Sequence, residues 1–283
     1  MRATILIAAA FLAAESAFAV DTIQGRIAPP AGFHRVPETA GSFGSWLRDL
    51  PVKPGRPPVR LFDGRLKTNQ SAHYAVLDID VGRRDLQQCA DAVIRLRAEY
   101  LRAARAEDGI CFRFTNGVPA RWSAWRDGLR PRFRGAQVSW VKTAPPDKTH
   151  ASFRRYLDLV FTYAGTASLA RELDRVPDPR RIQAGDVFIQ GGSPGHAVLV
   201  ADVAEDAAGR RAVLLVQSYM PAQDIHVLRH PGAREDPWYV IEGDTPLATP
   251  EWDFPPGSLR RFSAVGCCPG GTTPGCGAGP LRD

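Results

Sequence analysis

Short apolar segments in the second half of the chain predict a run of β-strands. DVFIQ (186–190), HAVLVADVA (196–204) and AVLLVQSYM (212–220) are the length of buried strands and rich in β-branched residues. The polar stretch EDAAGRR between the last two predicts a hairpin. DIHVLRH (224–230) predicts a further strand, and the alternating segment HYAVLDIDVG (73–82) predicts an earlier one.

Two longer segments follow the helical period. The first is DLQQCADAVIRLRAEYLRAARAED, for which Asp85 is the expected N-cap and Gln88 the third residue of a capping box. The second spans residues 152–176, with Ser152 as the expected N-cap and Gly165 as a break. Because helices precede a run of strands, the predicted fold class is α+β, with N-terminal helices packed on an antiparallel sheet.

Composition divides the chain into four predicted parts. Arg2, a short apolar run and Ala17-Phe18-Ala19 indicate a signal peptide cleaved after Ala19, so we expect a periplasmic or secreted protein. The predicted parts are a signal peptide (1–19), an extended Pro/Gly-rich segment (20–40), a single α+β domain (41–262) and a disordered Gly/Pro/Cys tail (263–283). No other segment is apolar enough to span a membrane.

Charge and cysteine content restrict the expected partners. The net charge of +6 comes from basic residues spread along the chain, which is typical of a solvated surface. Outside the cytoplasm we expect no nucleic acid as a partner, but a cell-wall peptide, a glycan or an envelope protein. Five cysteines leave at least one unpaired or bonded between chains. Cys89 and Cys111 are free to pair with each other, and the pairing of the tail cysteines Cys267, Cys268 and Cys276 stays open.

Several strings resemble an uncharacterised bacterial family known as domain of unknown function 4846. They are DLQQCADAVIRLRAEYL, YAGTASL, GDVFIQGGSPGHAVLV and QSYMPAQDIHVL, with PEW near the C-terminus, and they span roughly residues 40–262. The family brings no established activity. The shorter pattern GDVF, a small turn, and then His196 with an apolar strand is similar to NlpC-type cell-wall peptidases. That resemblance implies a papain-like core, a histidine base, a cysteine that begins a helix and a third polar residue.

The register of the predicted hairpin indicates which residue is the third polar residue of the NlpC-type pattern. If the hairpin folds about Ala207, Gln217 or Ser218 lies beside His196, and alternation of side chains lets only one of them face the imidazole. A glutamine there can accept the imidazole N–H and fix its tautomer. Gln217 is equally consistent with a polar strand end.

Cys89 is the candidate nucleophile. It lies near the start of the predicted helix, where unpaired N–H groups and the macrodipole lower the pKa of a thiol, and Gln87 or Gln88 can donate to an oxyanion. However, Cys89 also shares one helical face with Leu86 and Val93, as a core residue would.

The spacing of the NlpC-type pattern points elsewhere. It puts the nucleophile at Phe153, with Ser152 one residue away. Cys89, Ser152 and no covalent nucleophile therefore remain as three alternatives.

Other groups are weaker candidates. Gly192, Ser193 and Gly195 of the GGSPG turn, with Ser218, would line a substrate site beside His196, and a bulky residue at 195 would then reduce activity without unfolding the protein. Three further pairs are candidate binding sites. His226 and His230 would bind a metal, Asp78 and Asp80 a cation, and Trp122 and Trp125 a sugar. Structural roles are favoured for all three pairs, and no cofactor is expected.

The residues together favour a thiol hydrolase of the amidase or peptidase type. It would act on cell-envelope material such as peptidoglycan peptides, through Cys89, His196 and Gln217. The alternative is a non-catalytic envelope module that keeps the same groove for binding.

Overall fold

The computed structural model of the chain describes residues 21–233 and 236–263. Within these ranges the helices are α1 (Ile23–Arg26), α2 (Phe43–Arg48), α3 (Cys89–Ala103), α4 (Trp122–Arg126), α5 (His150–Tyr163) and α6 (Thr166–Glu172). None of the helices in this part of the chain is both long and apolar enough to cross a membrane.

The strands of the same ranges number fifteen. They are β1 (Phe33–Arg35), β2 (His73–Val76), β3 (Cys111–Arg113), β4 (Pro119–Arg121), β5 (Leu129–Arg134), β6 (Gln137–Lys142), β7 (Leu173–Arg175), β8 (Val187–Gln190), β9 (His196–Asp206), β10 (Arg211–Gln217), β11 (His226–Leu228), β12 (Trp238–Ile241), β13 (Leu247–Ala248), β14 (Asp253–Phe254) and β15 (Leu259–Phe262).

Nine of these strands form one antiparallel sheet. Its order is β2-β11-β10-β9-β8-β15-β7, with β1 paired to β9 and β12 paired to β10. The remaining strands form three two-stranded ribbons, β3-β4, β5-β6 and β13-β14. The predicted combination of helices and an antiparallel sheet is confirmed.

The central strand β9 is buried on both faces because its side chains alternate between two cores. Ala197 and Leu199 pack in the core that includes α3 and α5, whereas Val198 and Val200 pack in a second core on the opposite face. A strand covered on both sides reads as a continuous apolar run, which explains the sequence HAVLVADVA.

A β-bulge shifts the central hairpin from its expected register. Arg211 pairs with Glu205 and Leu214 with Asp202, but Leu215 pairs with Val200. Ala201 is therefore the extra residue on β9. The predicted fold about Ala207 is wrong by one residue at the turn, because the hairpin is centred on residue 208.

Asp202, at this bulge, holds the N-terminal segment onto the sheet. Its fully buried carboxylate pairs with the guanidinium groups of Arg35 and Arg48. The segment 20–40 also contributes the fully buried Ile23 and strand β1. It therefore carries more regular structure than the expected extended wrap.

The starts of both long helices differ from their predicted positions. Helix α3 begins at Cys89 with Gln88 as N-cap, not at Asp85, because the Asp85 carboxylate accepts the backbone N–H of Ala222 at 2.7 Å instead. Thr149, not Ser152, caps α5. The predicted break at Gly165 is confirmed, since it separates α5 from α6. The predicted signal peptide and tail lie outside the described residues.

Candidate functional site

His196 and Gln217 meet at one end of the central hairpin. His196 Nε2 lies 2.8 Å from Gln217 Oε1, and the two side chains are 2% and 1% exposed. Ser218 faces away, with its hydroxyl 2.9 Å from the carbonyl oxygens of Gln87 and Gln223. Of the two residues that alternation offered, Gln217 is the one beside the imidazole. Ser218 instead ties the end of β10 to the chain just before α3.

Cys89 lies against the beginning of β9. It is a free, buried thiol and the first residue of α3, which packs on β9. The backbone N–H of Ala197, the residue after His196, is directed at the Cys89 sulfur. Cys111 is disulfide-bonded, so Cys89 and Cys111 do not pair with each other. The fold thus brings the thiol of α3 to the strand that begins with the histidine.

Burial keeps the Cys89 thiol and the His196 imidazole neutral at pH 7. It raises the pKa of Cys89 to about 11, with a further contribution from Asp91, and this outweighs the backbone N–H groups that favour the thiolate. Burial also lowers the pKa of His196 to about 4. The direction for Cys89 is opposite to the one expected from its place at a helix N-terminus, because desolvation of the thiolate exceeds the effect of the helix dipole.

A second layer of polar side chains lies behind Gln217. Gln217 Nε2 lies 2.8 Å from Glu251 Oε2 and 3.3 Å from His226 Nε2. Glu251 is also paired with Lys67. His226 is fully buried, and its Nδ1 lies 2.9 Å from the carbonyl oxygen of Asp224. A chain of contacts therefore runs from Lys67 through Glu251 and Gln217 to His196.

Aromatic rings cover the imidazole. The ring centroids of Tyr219, Trp252 and Phe254 lie 4.8, 5.4 and 5.8 Å from that of His196. Trp252 is oriented by its indole N–H, which donates to Gln190 Oε1 at 3.3 Å. Tyr219 and Trp252 are partly exposed, so they separate His196 from solvent.

The GGSPG turn is held by helix α6. Gly192 and Ser193 are exposed, but the Gly192 N–H is directed at Thr166 Oγ1, which lies 3.4 Å away and donates in return to Gly192 O at 3.0 Å. A Cβ added at Gly195 would lie 2.5 Å from Thr166 Oγ1 and 2.6 Å from Gly192 O. Gly195 is thus required by packing, and a bulky residue there would distort the turn itself.

Two further candidate residues, Gln88 and Ser152, have side chains that are engaged in structural contacts. The backbone N–H of Gln88 donates to Asp91 Oδ2 at 3.1 Å, and the side-chain Nε2 of Gln88 donates to Asp85 Oδ1 at 3.0 Å. Ser152 is fully buried and accepts the indole N–H of Trp125 at 3.1 Å. Ser152 therefore has a core contact that accounts for it.

The remaining pairs have structural surroundings. Trp122 is fully buried in the core, whereas Asp80 is exposed and pairs with Arg95 and Arg154. His226 contacts Gln217, but His230 packs against Tyr239. In residues 21–233 and 236–263, no group of three or more His, Cys, Asp or Glu side chains is arranged to hold a metal ion.

Sequence reasoning did not find Glu251 or Lys67. Both lie outside the periodic segments, and Lys67 is 184 positions from its partner. The PEW string contains Glu251, and its acidic residue between a proline and a tryptophan was the one signal available.

These features define a mixed α/β protein with a buried histidine–glutamine pair at the start of the strand on which α3, with its N-terminal thiol, packs. The chain belongs to the family described as Domain of unknown function (4846), whose model matches residues 23–261. A search of the curated proteins and a search of the solved structures each found no match. The similarity to NlpC-type peptidases stays a prediction.

Proposed function

We propose that this protein is an exported thiol hydrolase with a papain-like core, which cleaves an amide or ester bond in cell-envelope material. Cys89 is the nucleophile, His196 the base and acid, and Gln217 the residue that orients the imidazole. One observation carries the proposal: the thiol that begins α3 faces the backbone N–H directly after a histidine whose far nitrogen is held by Gln217.

The contact with Gln217 decides which imidazole nitrogen acts. An amide oxygen only accepts hydrogen bonds, so a 2.8 Å contact between Gln217 Oε1 and His196 Nε2 requires the proton on Nε2. Nδ1 then keeps its lone pair and is the nitrogen that would take a proton from the thiol once the imidazole and the thiol are brought together. This is the division of roles that a base and its orienting residue need.

The reaction proceeds in two halves. The proton of the Cys89 thiol moves to His196 Nδ1 while the sulfur bonds to the substrate carbonyl carbon. The bond from that carbon to the leaving nitrogen or oxygen then breaks, and the leaving group takes the proton from Nδ1. Water next gives a proton to Nδ1 and attacks the thioester, and the Cys89 sulfur leaves and recovers that proton. The products are a carboxylic acid and an amine or alcohol, and the enzyme is unchanged.

Backbone N–H groups are the best-placed donors for the oxyanion. Those of Cys89, Ala90 and Ala197 face the sulfur and stabilise negative charge there. Gln88 is committed to Asp85 through its side-chain amide. Gln87 is 1% exposed and its Oε1 accepts from Arg95 at 3.1 Å. In our proposal the oxyanion role expected of Gln87 or Gln88 is assigned to these backbone groups.

Activation of the pair requires the aromatic cover to move. With Tyr219 and Trp252 over the imidazole, both Cys89 and His196 are neutral at pH 7, and the thiol is only 8% exposed. Displacement of the rings by substrate would admit the scissile bond and bring polar atoms to the thiolate. The energetic barrier of desolvation then falls as the substrate binds.

The substrate class rests on the predicted export and on the NlpC-type resemblance. A signal peptide cleaved after Ala19 would deliver the protein to the periplasm or the medium, where peptidoglycan peptides are abundant amides. A cell-wall peptide is thus the substrate we propose. No cofactor enters the reaction as proposed.

A binding module is the second candidate, and one observation favours it. The thiol is buried and its pKa is raised to about 11, as in a core cysteine without chemistry. In that case the partly exposed surface formed by Tyr219 and Trp252 would bind a peptide or glycan and leave it intact.

Hydrolysis of purified peptidoglycan fragments by the full-length protein separates the two candidates. We expect amide cleavage and a thioester adduct on Cys89, both lost in Cys89→Ala and His196→Ala. Ser152→Ala is the matched control and should retain activity. Binding of the fragments without cleavage, unchanged in Cys89→Ala, would instead establish the binding module.

A further inference from the structure

The hydrogen-bond partners of Gln217 set the direction of its amide. The amide nitrogen carries two hydrogens, and its two neighbours are Glu251 Oε2 at 2.8 Å and His226 Nε2 at 3.3 Å. The Glu251 carboxylate is an acceptor for the amide of Gln217 and for the ammonium group of Lys67. His226 Nε2 is an acceptor as well, because the Nδ1 of the same ring lies 2.9 Å from the Asp224 carbonyl oxygen and must donate to it.

A reversed amide would be opposed at two of its three contacts. If the side-chain amide of Gln217 were rotated by 180°, its oxygen would face the Glu251 carboxylate and the lone pair of His226 Nε2. Both of these groups are acceptors, so neither could form a hydrogen bond with the amide oxygen. All of these side chains are largely buried, so water is not at hand to relieve the conflict. Each buried acceptor left without a donor disfavours the reversed orientation.

We propose that Glu251, held by Lys67, is the positioning residue that fixes the tautomer of His196 through the amide of Gln217. Glu251 directs the amide nitrogen toward itself, the amide oxygen therefore faces His196 Nε2, and Nδ1 is left as the base. This inference rests on the proposed function for its purpose, since a fixed tautomer matters only if Nδ1 takes the thiol proton.

The tautomer of His196 can be measured without any substrate. In the full-length, ¹⁵N-labelled protein, two-bond ¹H–¹⁵N correlations tell a protonated ring nitrogen from an unprotonated one, and His196→Asn assigns the signals. We expect Nε2 protonated and Nδ1 unprotonated in the native protein. A native His196 protonated on Nδ1 would overturn the inference at once.

Glu251→Gln tests the cause. Lys67 would keep the oxygen of the new amide, so its nitrogen would face Gln217 and favour the reversed amide. We expect the proton of His196 to shift from Nε2 toward Nδ1, and Glu251→Asp to restore the native tautomer. Glu205→Gln is the matched control, because it also breaks an ion pair, with Arg211 at 2.8 Å, at the far end of the strand that carries His196. An unchanged tautomer in Glu251→Gln would contradict the inference.

A second variant guards against failure to fold. Glu251→Gln leaves the buried ammonium of Lys67 without its ionic partner, which can destabilise the protein. Lys67→Met combined with Glu251→Met removes both members of the ion pair and the nearer of the two acceptors of Gln217 Nε2, and leaves His226 Nε2 at 3.3 Å. The single tautomer should then be lost, and a retained single Nε2–H tautomer would overturn the inference.

The same spectra separate this inference from the proposed function. If the protein hydrolyses nothing but the tautomer responds to Glu251 as described, the function fails and the positioning role stands. If hydrolysis depends on Cys89 and His196 but the tautomer ignores Glu251, the function stands and the positioning role fails.

Discussion

The sulfur of Cys89 faces the backbone N–H of Ala197, although 108 positions separate the two residues along the chain, and the packing of α3 on β9 brings them together. Since Ala197 follows His196, the contact brings a free thiol to the beginning of the histidine's strand. In the native protein the thiol of Cys89 and the imidazole of His196 are both neutral, and aromatic rings cover the imidazole.

The aromatic cover predicts how accessible the thiol is. Tyr219→Ala removes a ring that lies 4.8 Å from the imidazole of His196. We expect alkylation of Cys89 at pH 7.5 (about one unit below an ordinary thiol pKa) to accelerate several-fold, because water reaches the site and the pKa of the thiol falls toward its usual range. Peptide mapping by mass spectrometry measures the rate at Cys89. Tyr163→Ala, which removes a partly exposed tyrosine outside the site, should leave the rate unchanged. Equal rates in Tyr219→Ala and native protein would show that Tyr219 is not the barrier.

The buried carboxylate of Asp202 predicts a large stability effect. Asp202→Asn would leave Arg48, itself 6% exposed, without its ionic partner. Removal of one member of a buried pair costs about 3–5 kcal/mol, so urea unfolding should show a loss of that order. Glu205→Gln breaks a more exposed pair and should cost less than about 1 kcal/mol. Similar losses in the two variants would refute the structural role given to Asp202.

The turn before His196 predicts a contrast between two glycines. A Cβ at Gly195 would meet Thr166 Oγ1 at 2.5 Å, whereas one at Gly165 meets nothing within 4 Å. Gly195→Ala should therefore destabilise the protein by about 1–3 kcal/mol through overpacking, and Gly165→Ala should change the thermal midpoint little. An undisturbed midpoint in Gly195→Ala would mean that the turn has room to relax.

Buried histidines predict a loss of stability in acid. Burial lowers the pKa of His226 from 6.5 to about 3. Between these values the unfolded chain binds a proton that the folded protein does not, so the free energy of unfolding falls as the pH decreases from 6.5 toward 3. Each such group contributes a slope of about 1.4 kcal/mol per pH unit. In His226→Gln, urea unfolding between about pH 6.5 and pH 5 should show a smaller slope of the free energy of unfolding against pH. The decrease corresponds to about one proton fewer taken up on unfolding. The same slope in both proteins would contradict a neutral, buried His226.

Periodicity predicted the elements that bury a face and missed the residues that serve long-range contacts. Strands β8, β9 and β10 were found because their apolar runs have the length and composition of buried strands. Asp85 was expected to cap α3, but its carboxylate binds the Ala222 N–H, a contact that local sequence does not reveal. The bulge at Ala201 likewise arises from pairing with β10 and left no local signal.

Only part of the candidate site could be predicted from the sequence, for the same reason. Gln217 was accessible to hairpin arithmetic because it lies on a strand paired with that of His196. Glu251 lies in an irregular segment between β13 and β14, and its contact with Gln217 spans 34 positions. Pairing rules do not extend to such a segment, so a polar residue there carries no positional information until the fold is known.

The most direct test of the account is the rate of Cys89 alkylation by iodoacetamide as a function of pH. It is measured under non-reducing conditions on the Tyr219→Ala protein, which lacks one ring of the aromatic cover, with and without His196→Ala. If His196 serves as the base for Cys89, the Tyr219→Ala profile has an inflection well below the ordinary thiol pKa of about 8.5, and the inflection disappears when His196 is also replaced. Slow alkylation that rises only toward pH 11 in both proteins would match the buried thiol alone. It would make Cys89 a core residue and contradict the hydrolase.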